Sequence, residues 1–212
     1  MDVVVVGGHG QIALRLLKLL SERRDRARGV IRNPDHARDL KEVGAEPVLC
    51  DIENEELTAA VEGADAVVFA AGAGPGSGPE RKGTVDYGGA VKLIEAARTN
   101  EIARYVIVSS IGAHDPDAAE GTFRIYLQAK ADADRAVVES GLDYTIVRPG
   151  SLTDEPGTGR VDLSTELGRR GPVSRDDVAA VLAETLIAPN TVGKTFECFG
   201  GDVPVAEAVR AL

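Results

Sequence analysis

Gly7, Gly8 and Gly10 stand in "VVVVGGHGQIALRLLKLL", residues 3–20, between a run of four valines and leucines at helical spacing. A strand that stops at clustered glycines and restarts as a helix makes a cradle for an anion. The first glycines allow a tight turn at positive φ, Gly10 lets the anion approach the backbone, and Ala13 lets the helix pack closely on the sheet. Free N–H groups and the helix macrodipole both favour negative charge there. Gly8-x-Gly10-x-x-Ala13 fits the G-x-G-x-x-G/A fingerprint and Gly7-x-x-Gly10-x-x-Ala13 a looser relative of it, so the loop predicts a dinucleotide pyrophosphate. The bland alternative is a turn that serves packing alone.

The second strand ends Val30-Ile31-Arg32-Asn33. An acid near this position accepts a ribose 2'-hydroxyl, whereas the planar fork of Arg32 suits a 2'-phosphate. NADP is therefore expected, with NAD as the alternative. Asp51 and Ile52 end the third strand and would flank the adenine; Asp51 could equally cap a helix beginning near Glu53.

Elements that position these residues follow from the hydrophobic pattern. "DVVVVG", "ARGVI", "EPVLCD", "DAVVFAAG", "RYVIVSS" and "DYTIVRPG" read as strands, and residues 10–23, 34–43, 53–62, 80–100 and 122–141 as helices between them. Strands that are nearly all apolar need cover on both faces, which strand–helix alternation supplies. The expected fold is α/β, a doubly wound parallel sheet in one domain over 1–212. After Gly150 the pattern loosens, then gives a helix (174–188), a strand (194–199) and a short helix (204–211). Residues 150–173 and 189–212 are read as a small cap or edge region, and the Gly/Pro-rich segment 70–83 as a mobile loop.

Composition narrows the function classes. With 212 residues, 43% of them hydrophobic, the chain can bury a full core. Its 24 basic and 34 acidic residues give a net charge of -10, a field that repels nucleic acid and anionic membrane surfaces. That acidity fits either a salty cytoplasm or an ordinary acidic enzyme. No stretch approaches the roughly 18 apolar residues of a membrane span, and the first residues enter a strand without a charged leader, so a cytoplasmic protein is expected. Cys50 and Cys198 are expected to be buried thiols. His9, His36 and His114 have no ligand spacing, so no metal is expected.

Taken in order, "VVVVGGHGQIA", "VIRNPDHARDL", "GAEPVLCDI", "GADAVVFAAGAG", "VDYGGAVKLIEAA", "YVIVSSIGA", "YLQAKADADRAV", "SGLDYTIVRPG" and "VSRDDVAAVL" resemble the atypical short-chain dehydrogenase/reductases. The nearest branch is the NAD(P)-binding one that also holds flavin-reductase-like and NmrA-like proteins. The resemblance runs nearly the whole chain. It implies a catalytic Tyr-x-x-x-Lys pair with a serine ending the preceding strand, which Tyr126, Lys130 and Ser110 match; Ser109 is the neighbouring alternative. The four-residue step puts Tyr126 and Lys130 on one helix face. A phenol, with its usual pKa of about 10, needs a nearby ammonium to serve as an acid–base group at neutral pH.

Lys130 would also hold the nicotinamide ribose. Asp86 stands where extended members of the superfamily often carry asparagine, which departs from their proton relay. Cofactor contacts are expected from Gly7, Gly10, Gln11, Ile12, Arg32, Asp51, Ile52, Ala71, Gly72 and Lys130. The leading functional expectation is an NADP-dependent oxidoreductase acting on a small carbonyl substrate, as monomer or homodimer. The alternatives are a nucleotide-sugar epimerase or dehydratase and a non-enzymatic NmrA-like NADP sensor.

Overall fold

The structure is a computed structural model that describes residues 1–74 and 78–212, so 75–77 of the Gly/Pro-rich segment lie outside the described residues. Chain order begins β1 (Asp2–Val6), α1 (Gln11–Glu22), β2 (Arg26–Ile31), α2 (Ala37–Glu42), β3 (Glu46–Leu49) and β4 (Ala66–Phe69). A short α3 (Pro79–Arg81) leads through a π-helical stretch, Lys82–Gly88, into α4 (Gly89–Thr99), β5 (Arg104–Val108), α5 (Gly121–Val138) and β6 (Asp143–Pro149). The rest comprises β7 (Ser151–Thr153), β8 (Arg160–Ser164), β9 (Pro172–Ser174), α6 (Arg175–Thr185), β10 (Lys194–Gly200), β11 (Val203–Pro204) and α7 (Val205–Ala211).

Among the described residues nine strands form one sheet in the order β11-β8-β10-β6-β5-β4-β1-β2-β3. From β3 to β10 every neighbour is parallel; β8 runs antiparallel to both β10 and β11. This is the doubly wound order, whose reversal point lies between β1 and β4, where ligands of such sheets bind. The tail thus places β8, β10 and β11 in the main sheet, while β7 and β9 pair separately.

The valine run explains why β1 is central. Val3 and Val5 join the core beneath α1 and α6, Val4 and Val6 the core beneath α4 and α5, and all four are fully buried. Period-two alternation into two apolar layers is what a strand covered on both faces requires. On α1, Ile12, Ala13, Leu16, Leu17 and Leu20 form the buried stripe.

The helix expected over 53–62 does not form. Residues 51–63 make successive turns instead, though Leu57 and Val61 are fully buried. Local side-chain bonds win here: Asp51 Oδ1 accepts the Glu53 N–H at 3.0 Å and Glu55 accepts the Asp51 N–H at 2.6 Å. Asp51 caps a turn rather than a helix. The helix expected over 80–100 is interrupted by the π-helical stretch, which carries Asp86 into the interior.

Candidate functional site

At the reversal point the β1–α1 loop is drawn tightly against the sheet. The Gly8 N–H donates to Val30 O at 2.8 Å and the Gly10 N–H to Gly7 O at 2.8 Å. Gly7 has φ +84°, and a Cβ there would lie 2.6 Å from Ala71 Cα. A Cβ on Gly8 would come 2.8 Å from Gly29 Cα, so Gly8 serves packing on β2. A Cβ on Gly10 would meet Gly7 O at 3.1 Å. Among the described residues no side chain caps α1, and its first turn holds no acid. These features leave the positive end of the helix open to an anion, so the loop fits a dinucleotide pyrophosphate.

Gly7, Gly10, Arg32, Asp51, Ile52, Ala71 and Gly72 line one cavity of about 330 Å³. Ile12 lies in an adjoining cavity of about 480 Å³. Gln11 lines neither; it is exposed, and its side-chain oxygen accepts from Arg15 at 2.8 Å.

Arg32 is not alone at the end of β2. Its Nη1 donates to Glu53 Oε2 at 2.9 Å, and Arg81 Nη2 donates to the same oxygen at 2.8 Å. Thr84 Oγ1 donates to Glu53 Oε1 at 3.0 Å. The Arg81 hydrogen bond is the chief reason the Glu53 carboxyl is held below its usual range. His9 and His36 stack on the same cavity wall, centroids 3.6 Å apart, and His9 Nε2 lies 2.7 Å from Asp39 Oδ2. Spacing does not mark Arg81, His9 and His36 as cavity residues: His9 stands within the glycine loop, and Arg81, at the end of α3, and His36, in the turn before α2, reach the same wall only through tertiary packing.

The second cavity takes in Tyr126, Lys130 and Ser110, with Ser109, Asp86 and Phe123. Lys130 is buried and bound by the protein itself. Its Nζ donates to Val108 O at 3.2 Å and Ala71 O at 3.5 Å, and lies 3.1 Å from Asp86 Oδ1. Asp86 is fully buried, and its Oδ2 accepts the Ala73 N–H at 3.0 Å. Hence Asp86 and Lys130 tie the loop after β4 to α5. The ammonium also lies 5.8 Å from the Tyr126 ring centroid.

The two serines differ in engagement. Ser109 is buried and donates to Asp134 Oδ2 at 2.9 Å; Arg148 Nη2 donates to that oxygen at 2.8 Å. Burial holds the Asp134 carboxyl above its usual range although Arg148 and Ser109 oppose the shift. Ser110 is half-buried and donates to Ile111 O at 3.2 Å, leaving its hydroxyl at the cavity wall. Cys50 and Cys198 are both buried as free thiols, and burial pushes Cys198 up to about 12.

A strand–glycine–helix cradle at the reversal point of a parallel sheet defines a dinucleotide-binding protein of the doubly wound class. A family model described as NAD(P)H-binding matches residues 7–189, and the chain belongs to that family. This agrees with the resemblance to atypical short-chain dehydrogenase/reductases. YhfK of Bacillus subtilis (strain 168), named as an uncharacterized sugar epimerase, is 40% identical over 100% of both chains. A solved Bacillus halodurans structure, provisionally named an NAD-dependent epimerase/dehydratase, superposes with TM-score 0.96 at 41% identity, covering 100% of each chain. The oxidoreductase ylbE of Lactococcus lactis gives TM-score 0.88 at 28% identity, covering 100% of this chain and 96% of its own. Among the described residues no helix is long and apolar enough to cross a membrane.

Proposed function

We propose that the chain is an NADP-dependent oxidoreductase acting on a small carbonyl substrate, or on the corresponding alcohol. One observation carries the reading: the glycine-loop cavity and the Tyr126 cavity share Ala70, Ala71 and Gly72, so a cofactor-sized cleft opens directly onto a phenol and a hydroxyl. A bound nicotinamide would supply or accept the hydride.

Protein groups supply the rest. Tyr126 passes its phenolic proton to the substrate oxygen as carbonyl becomes alcohol, or takes it back in reverse. Ser110, by turning its hydroxyl away from Ile111 O, donates a hydrogen bond that holds that oxygen. Lys130 lies beneath the tyrosine and is fixed by Asp86, which makes it a positioning residue in this chain. At the far end, Arg32 and Arg81 offer two guanidinium groups to a 2'-phosphate, with Glu53 as the counter-ion they would exchange for it.

The epimerase names of the relatives favour a second reading, in which a transient keto intermediate returns the cofactor to its starting state. The apolar side chains at the Tyr126 end, Phe123, Leu152 and Pro149, favour the first. Calorimetric titration with NADPH, NADH and their oxidised forms tests the proposal. Tighter NADPH binding is expected, followed by stoichiometric oxidation of NADPH with an accepted carbonyl. Binding of no form would overturn it, and turnover with the cofactor retained unchanged would select the epimerase reading.

A further inference from the structure

The Tyr126 end of the cleft differs in character from the chain around it. Phe123 and Tyr126, one turn apart on α5, stack with centroids 5.9 Å apart and planes 23° from parallel. Phe123 is 53% exposed and Leu152 37%, and both face the same cavity. Large apolar side chains left uncovered around a cavity mark a surface that a ligand covers.

Charge is distributed against the trend of the whole protein. The chain carries -10, yet this cavity is lined by Lys82, Lys130 and Arg175 against one carboxylate, Asp86, which Lys130 already neutralises. Lys82 Nζ lies 5.3 Å from the Tyr126 ring centroid, and among the described residues no carboxylate pairs with it. Arg175 donates to Asp154 at 2.9 Å, but Asp154 is 72% exposed and the pair is open to exchange for a ligand anion. An unpaired ammonium beside an aromatic shelf, with a guanidinium lining the same cavity, is complementary to a planar group that ends in a negative charge.

We propose that the substrate is a planar, apolar ring system bearing a carboxylate or comparable anionic group. The ring lies along Phe123 and Tyr126, and the anion lies between Lys82 and Arg175. Calling this ligand the substrate rests on the hydride-transfer reading, whereas the ligand class rests on the cavity walls. That separation makes the two testable apart.

The test is a ligand-observed NMR titration of the full chain, with and without NADP, using four probes. They are 1-naphthoate, the neutral ring 1-naphthylmethanol, the non-planar anion cyclohexanecarboxylate, and UDP-glucose. Naphthoate is expected to bind at least about tenfold more tightly than any of the other three. Lys82→Gln and Phe123→Ala, both at accessible positions, are each expected to weaken naphthoate about tenfold and to leave NADPH affinity unchanged. Naphthoate binding no tighter than the neutral or non-planar probe, or displaced by UDP-glucose, would overturn the ligand class. If NADPH fails to bind while naphthoate binds as expected, the hydride-transfer reading falls and the ligand class stands; the reverse pattern removes only the ligand class.

Discussion

Lys130 Nζ and Asp86 Oδ1 lie 3.1 Å apart in the interior, joining α5 to the π-helical stretch beneath the cleft. Two buried charges of opposite sign are tolerable only together, because each alone would lack compensation for its lost hydration. Asp86 thereby orients the lysine and anchors the Ala73 N–H, which fixes the cleft floor.

Removing one partner is expected to cost more than removing both. Asp86→Leu should destabilise the protein by about 3–5 kcal/mol, since it strands the Lys130 ammonium. Adding Lys130→Met should recover most of that loss. Urea unfolding of wild type, single and double variants checks this, and an equally unstable double variant would refute the pairing argument.

Tyr126→Phe retains the ring and its stacking on Phe123 but deletes the transferable proton. Turnover of an accepted carbonyl is expected to fall by about 10²–10⁴-fold, with NADPH affinity unchanged. Steady-state rates alongside calorimetry separate the two quantities; undiminished turnover would remove Tyr126 as the proton donor.

Arg32 and Arg81 share Glu53, so each is expected to contribute to recognition of a 2'-phosphate. Arg32→Ala and Arg81→Ala should each weaken NADPH by about tenfold, the scale of one charge-assisted hydrogen bond at an accessible site. NADH should be unaffected. Glu53→Gln, by releasing both guanidinium groups, should tighten NADPH, and these differences should shrink as salt rises. Parallel losses for NADH would show that the arginines act on the fold or on shared parts of the cofactor.

Asp134 gives a pH dependence of definite sign. Burial raises its carboxyl in the folded protein, so the unfolded chain releases that proton first, near 3.8, and the folded protein later. Stability from this group is full below 3.8 and declines as pH rises toward the raised folded value. Asp134→Asn removes the titration, so its stability relative to wild type should improve across that interval. Urea midpoints at stepped pH from 4 upward measure it, and a constant offset would contradict the assignment.

Much of the fold was readable because its determinants are local. The four valines, the glycine turn and the leucine stripe that follows set β1 and α1 within twenty consecutive residues, and the parallel sheet follows from strands apolar on both faces. The 53–62 segment misled because Leu57 and Val61 have helical spacing, while the capping bonds around Asp51 that prevent a helix depend on side-chain geometry rather than periodicity. In the sequence Asp86 stands out only as a departure from asparagine. Its partnership with Lys130 depends on the π-helical stretch, which no spacing rule reveals. Arg81 at the end of α3, His36 in the turn before α2 and His9 in the glycine loop line one cavity, and only tertiary packing brings them together. Phe123 was within reach, since a residue three before Tyr126 shares its helix face.

The two ends of the nine-stranded sheet have a shared consequence for association. At one end β3 has four residues and contains Pro47; at the other β11 has two and contains Pro204. Each border is short and lacks a backbone donor at its proline, which makes it a poor template for strand addition. Growth of the sheet into a second copy is thus discouraged on both sides, so a continuous ladder shared between two copies is disfavoured.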